Sequence, residues 1–281
     1  MRTLTRNPEL MGILLLVLFA EPLFAKPSRI VSINLCTDQL LMMLAERERI
    51  TSVSYLATDP QVSAMHAEAV GLKKNHGMAE EILMLKPDLI LAGSYTSRPT
   101  IFLLKRLGYP VVELSPASNI EAIRRNIRQV AEAIGEQQKG RHLIDEFNRR
   151  LPSTNDTTKA RPIAAIYLAN NFTPGDQTLS GAVLKTAGFT NLAARMGISG
   201  TGHLSLESLV YEQPDFIVRS FKGNGEQWVA GGSFRHPAFN KLTETRETVQ
   251  IADHLWTCGN PVVIDAIEQL VRARETWQRI H

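Results

Sequence analysis

Seven residues around Glu80 recur in the same order and spacing around Glu207. Glu80, Ile82, Leu83, Pro87, Asp88, Leu89 and Ile90 match Glu207, Leu209, Val210, Pro214, Asp215, Phe216 and Ile217 at a constant offset of 127 positions. Each copy reads as a short helix opened by an acid, stopped by a proline whose ring cannot continue it, and followed by a buried strand. Such a junction is common in α/β proteins, but seven positions in register favour two similar lobes.

The rest of the chain fits that division. Aliphatic or β-branched runs at 29–35, 50–55, 88–92, 111–114, 163–169, 215–219 and 248–252 predict strands. The segments between them, such as 38–46 and 100–107, carry apolar residues at helical spacing. Strands alternating with helices mean βαβ units and parallel sheets. Between the two copies, 118–151 has helical periodicity broken at Gly135. Its second half reads as one connecting helix of about 16 residues, roughly 24 Å at 1.5 Å per residue. The expected fold class is therefore α/β, with two Rossmann-like lobes joined by a single long backbone helix. The boundaries are 1–25 for a signal peptide, 26–134 for the first lobe, 135–153 for the connecting helix with a turn at 152–159, and 154–281 for the second lobe.

The signal reading rests on Arg2 and Arg6, the apolar run 10–20 and a small residue at Ala25. That run is too short for a bilayer span, which needs about 20 residues, so a soluble periplasmic product is expected. No Leu-x-x-Cys lipid-attachment site follows the run. A net charge of +3, unchanged by removal of 1–25, with scattered lysines and arginines, argues against nucleic acid as partner.

Several runs give the chain a family resemblance: RIVSI at 29–33, GMAEEILMLKPDLI at 77–90, LGYPVV at 107–112, GFTNL at 188–192 and the segment 207–217. Over residues 28–280 the chain resembles the class III periplasmic binding proteins of ABC importers for vitamin B12, ferric siderophores and haem. The resemblance implies a rigid backbone helix, modest lobe movement, and a monomer that holds a small-molecule metal chelate between its lobes for an ABC permease dimer. No intrinsic cofactor is implied; the chelate is cargo. Glu80 and Glu207 match the glutamates with which the vitamin B12 member docks onto permease arginines. A first-turn acid is also favoured by the helix dipole alone, but that does not explain one per lobe in the same register.

Ligands of open α/β sheets bind beyond the carboxyl ends of strands. The loops there supply Cys36, Thr37 and Asp38; Tyr55; Tyr95 and Arg98; Asn171 and Phe172; Arg219, Phe221 and Lys222; and Trp256 and Cys258. His203, His76 and His66 are further cleft candidates. Aromatic rings mixed with arginines suit a flat or anionic chelate such as an iron siderophore, a cobalamin-type corrinoid or haem. Asn75 and Thr201 stand where the vitamin B12 binder has cleft tryptophans, which leaves cobalamin specificity open.

Two rival functions have less support. An exported enzyme would need a catalytic motif, yet Gly-x-Ser-x-Gly, His-Glu-x-x-His and Cys-x-x-Cys are absent, and the 223–225 Gly-x-Gly has Trp228 where a dinucleotide fingerprint needs its third glycine. A carrier of bare zinc or manganese would need three or four converging ligands, and the histidines are scattered. Cys36 and Cys258, each after a strand of a different lobe, should face each other across the cleft. A disulfide, two unpaired thiols and soft ligation of a metal or cofactor all remain open.

Overall fold

The computed structural model describes residues 26–152, 161–221 and 232–280. The proposed signal segment 1–25, all but Pro152 of the turn at 152–159, and the 223–225 glycine motif lie outside the described residues.

The first lobe is built from β1 (Ile30–Ser32), α1 (Leu35–Leu44), β2 (Ile50–Ser54), β3 (Lys74–Asn75), α2 (Ala79–Leu85), β4 (Leu89–Gly93), α3 (Arg98–Arg106) and β5 (Val111–Leu114). Its strands pair in the order β3-β2-β1-β4-β5, all parallel. After α4 (Ile120–Ala133) and α5 (Gln137–Arg150) come β6 (Ile163–Ile166), β7 (Phe172–Pro174), α6 (Leu179–Thr186), β8 (Thr190–Asn191), α7 (Leu192–Arg195), β9 (Thr201–His203), α8 (Leu206–Glu212), β10 (Phe216–Phe221), α9 (Pro237–Thr245), β11 (Glu247–Ala252) and α10 (Val263–Ile280). Here the parallel order is β11-β10-β6-β8, and β7 and β9 form a separate antiparallel ribbon.

Adjacent residues of a strand point to opposite faces, and the core follows that rule. Ile30, Leu89, Ala164 and Phe216 belong to one apolar cluster that also takes in Ile127, Ile144, Phe147 and Ile267. Their neighbours Val31 and Ile90 pack outward with Ile82 and Ile101, from α2 and α3. In the second lobe, Ala165 and Ile217 pack outward with Leu209 and Phe239, from α8 and α9. The inner faces of both sheets thus share one core through α4, α5 and α10, while each outer face has its own helices.

The repeat is visible in three dimensions. α2 and α8 each have seven residues, with the glutamate second. Each ends on a left-handed residue, Lys86 (φ 46°, ψ 56°) and Gln213 (φ 45°, ψ 59°). The proline follows, as it commonly does beyond a helix end. Asp88 then accepts the Arg29 N–H at 3.0 Å, and Asp215 accepts the Ile163 N–H at 2.8 Å. Each aspartate pins the start of its lobe's first strand.

The connecting helix α5 is shorter than the sequence predicts. Fourteen residues run about 21 Å. At its first end, the buried Glu136 accepts from Lys26 at 3.0 Å and Arg49 at 2.6 Å, both of the first lobe. At its last turn, Arg150 reaches Asp265 at 2.7 Å and Glu268 at 3.0 Å on α10.

Candidate functional site: an interlobe cavity

In the first sheet the strand order reverses direction between β1 and β4, and ligands of open α/β sheets sit at that switch, beyond the carboxyl ends. Residues following β1 (Asn34, Cys36, Thr37) and β4 (Ser94, Tyr95) line a cavity of about 400 Å³ at this place. The stretch after β5 (Ser115 to Ser118) and Asn126 of α4 continue the wall. The second lobe closes it with Gln177, Thr178, Leu179, Thr201, Thr257 and Gly259. The volume lies at the lower end of the usual range for small-molecule sites, about 300–1,000 Å³.

The cavity floor is a tight seam. Cys36 and Cys258 are joined in a disulfide, with Cα atoms 5.1 Å apart and 222 positions of chain between them. This settles the cysteine question in favour of the bridge. It also corrects the placing of Cys36, which is the second residue of α1 and not part of a loop: Asn34 ends the strand early by capping the helix, accepting the Cys36 N–H at 3.0 Å. Beside the bridge, Asn260 donates to Gln39 at 2.7 Å across the seam, with both side chains buried. A Cβ on Gly259 would sit 2.1 Å from that of Ala117, so only glycine allows the lobes this close.

The sequence-predicted ligand residues divide into groups. Cys36, Thr37 and Tyr95 line the cavity. Asp38 does not: it is fully buried and turned to Ser54, whose N–H and hydroxyl it accepts. That burial pushes its carboxyl up to about 6, the Ser32 and Ser54 hydroxyls and the Ser54 N–H only partly offsetting the cost. Trp256 is also buried, donating its indole N–H to Ser220 at 3.2 Å, and Cys258 is buried in the bridge. Arg98 lies outside the cavity and pairs with Glu113 at 2.5 Å.

The other candidates form two flanking sets. On the first lobe, Tyr55 stacks on His76 with ring centres 5.1 Å apart, at the carboxyl ends of β2 and β3. On the second, Phe172 meets His203 at 4.4 Å across the β7–β9 ribbon. Near that ribbon, Asn171 accepts from the Tyr167 hydroxyl at 2.8 Å and from Ser233. The Arg219 guanidinium is clasped by Phe234 and Phe239, at 4.6 and 5.5 Å, and burial lowers its pKa. Phe221, half-buried, ends β10. Lys222 falls outside the described residues. His66 is exposed, its Nδ1 3.2 Å from the Ser63 carbonyl.

Sequence reasoning missed Asn34, Ser94, the 115–118 stretch, Asn126 and Gln177 to Leu179. The stretch after β5 was findable, because it also follows the carboxyl end of a predicted strand. The α6 start had a weaker signal, Thr178 before an apolar run, where its hydroxyl caps the Gly181 N–H at 3.0 Å.

Glu80 and Glu207 are exposed on the outer-face helices, away from the cavity. Glu80 makes no hydrogen bond or ion pair among the described residues, whereas its neighbour Glu81 is taken up by His76, at 2.7 Å to the backbone N–H and 3.1 Å to Nδ1. Glu207 is held below the usual carboxylate range by its own N–H, by the Ser205 hydroxyl and by the positive potential of His236.

A family model described as periplasmic binding protein matches residues 30–247. The chain belongs to this family. Among its relatives, a cobalamin-binding protein of Halobacterium salinarum is 26% identical over 204 residues, 71% of this chain, which spans only 55% of that relative's length. A vitamin B12-binding protein of Photorhabdus laumondii is 26% identical over 265 residues, 92% of both chains. Among solved structures, the periplasmic heme-binding protein RhuT from Roseiflexus sp. RS-1 superposes with a TM-score of 0.69 at 23% identity, over 88% of this chain and 98% of that one. The vitamin B12 binding protein BtuF of Vibrio cholerae gives 0.67 at 19%, over 90% and 98%. This periplasmic binding protein has, among its described residues, no helix long and apolar enough to cross a membrane and no cluster of three or more metal-ligating side chains.

Proposed function

We propose that this periplasmic binding protein is the substrate-binding component of an ABC importer for a metal chelate, trapping its cargo between the lobes and delivering it to a permease dimer as a monomer. The observation that carries the reading is the interlobe cavity at the switch point, flanked on each lobe by an imidazole–aromatic pair. In this reading 1–25 is a cleaved export signal and α5 is the backbone between lobes divided near 135 and 153. The cavity takes one arm of the chelate, and its flat body stacks on the Tyr55–His76 and Phe172–His203 rings. Names of relatives with cobalamin and vitamin B12 support a corrinoid; a ferric siderophore fits the same geometry. Haem is the alternative cargo, because those rings include a phenol, Tyr55, and two imidazoles, His76 and His203, which are the axial-ligand chemistry of haem iron.

The test is a titration of the purified protein with cobalamin, haem and ferric siderophores, read by tryptophan fluorescence. Saturable quenching by one of these classes is expected, with Trp256 near the seam among the reporters. Absence of quenching and of heat by calorimetry with all of them removes the chelate reading.

A further inference from the structure

Among the described residues, the cavity walls carry dipoles but no charge. Its described lining includes Asn34, Ser94, Ser115, Asn126, Thr178 and Thr257, and no lysine, arginine, histidine, aspartate or glutamate. We infer that the cavity receives an uncharged hydrogen-bonding arm of the cargo, an amide or a hydroxyl, and discriminates against a carboxylate there. This deepens the importer reading and rests on it.

Three observations point the same way. The two arginines that sequence assigned to an anionic cargo are committed elsewhere, Arg98 to Glu113 and Arg219 to the rings of Phe234 and Phe239. The helix N-termini that open on the cavity are already capped by neutral side-chain oxygens: Asn34 takes the Cys36 N–H at 3.0 Å, Asn119 the Ala122 N–H at 2.8 Å, and Thr178 the Gly181 N–H at 3.0 Å. Each cap thus takes up, without adding charge, one of the N–H groups that could otherwise hold an anion. Finally, the titratable group linked to the wall is an acid. Thr37 lines the wall, and the next residue, Asp38, is a fully buried carboxyl turned to the Ser54 N–H and hydroxyl. A carboxylate entering this space would lose its hydration with no cation to replace it, at a cost that hydrogen bonds to hydroxyls and amides do not return. An amide or hydroxyl gives up far less water and finds donors and acceptors on every side.

The experiment uses matched pairs: cobalamin against its monocarboxylate, in which one side-chain amide is hydrolysed, and a ferric hydroxamate against ferric citrate. Affinities are measured by calorimetry at pH 7.5. Within the pair that binds, the uncharged-arm member is expected at least tenfold tighter. Ser115→Lys places a cation at the exposed mouth, where the Ser115 hydroxyl makes no hydrogen bond among the described residues, and should narrow the ratio to under threefold. Equal or tighter binding of the carboxylate member to the unaltered protein overturns the inference, as does a ratio unmoved by the lysine. No binding by any of the four, while haem or another ferric chelate binds, overturns this inference alone; no binding by any of these chelates overturns the importer reading and the inference with it, a result distinct from binding with the wrong preference.

Discussion

Beneath the cavity, Asp38 carries a carboxyl that is fully buried and makes no ion pair among the described residues. Its pKa is raised from 3.8 to about 6, first by desolvation. The folded protein therefore binds this proton more tightly than the unfolded chain does. The corresponding stability is complete below about pH 4 and is lost as pH rises through about 6, a change of about 3 kcal/mol at most. In urea titrations, Asp38→Asn should gain on the unaltered protein by about 2–3 kcal/mol between pH 4 and pH 8. Parallel stability curves for the two proteins would show that Asp38 is not strained by its burial. The sequence could not reveal this position. α1 is covered on almost every side, burying Thr37, Asp38, Gln39, Leu40 and Leu41 in succession, so no periodicity separates the wall-facing Thr37 from the inward-facing Asp38.

The helix–Pro–Asp unit makes two separable predictions at the level of elements. Lys86 and Gln213 hold left-handed backbone conformations, which cost a side-chain-bearing residue roughly 1–2 kcal/mol, of which glycine would return part against its own entropy. Lys86→Gly should raise stability by about 0.5–1 kcal/mol, since its carbonyl still accepts from the Arg29 Nε. Gln213→Gly should gain less, because the Gln213 amide oxygen also accepts from Arg246 at 2.7 Å. Denaturant midpoints check both. If the exposed glutamates on the same helices dock onto the permease, as the family resemblance implies, Glu80→Arg with Glu207→Arg should abolish uptake of cargo by whole cells while leaving affinity within twofold. Unimpaired uptake would sink the docking role. This unit was the most legible part of the sequence, because proline, aspartate and a buried strand are each fixed by backbone physics. Of the strands of two or three residues, β3, β7, β8 and β9 were not legible; too short to alternate, β3 and β8 are held by register with longer neighbours, and β7 and β9 by each other, not by their own pattern. The flanking rings at Phe172 and His203 owe their contact to one of those ribbons.

At the scale of the molecule, a shared core and a covalent seam make the two lobes one body at the cavity floor. The bridge closes a loop of 222 positions, for which chain entropy gives up to ~5 kcal/mol, an upper figure since real unfolded chains are already compact. Reductant should lower the unfolding midpoint accordingly, and thiol titration of the denatured, unreduced protein should find no free thiol. Two reactive thiols would exclude the bridge. Sequence placed both cysteines at facing loops but could not choose between pairing and free thiols, since the choice turns on a Cα separation of 5.1 Å that no local pattern encodes. The same bridge alters what a broken chain means for this protein. Every peptide bond between Cys36 and Cys258 lies inside a covalent ring, and that stretch contains nearly all of both lobes. A single protease cut there opens the ring without dividing the molecule. A nicked sample should run as one species on a denaturing gel without reductant and as two fragments with it, so this binding protein can lose the continuity of its backbone and still keep its lobes on one thread.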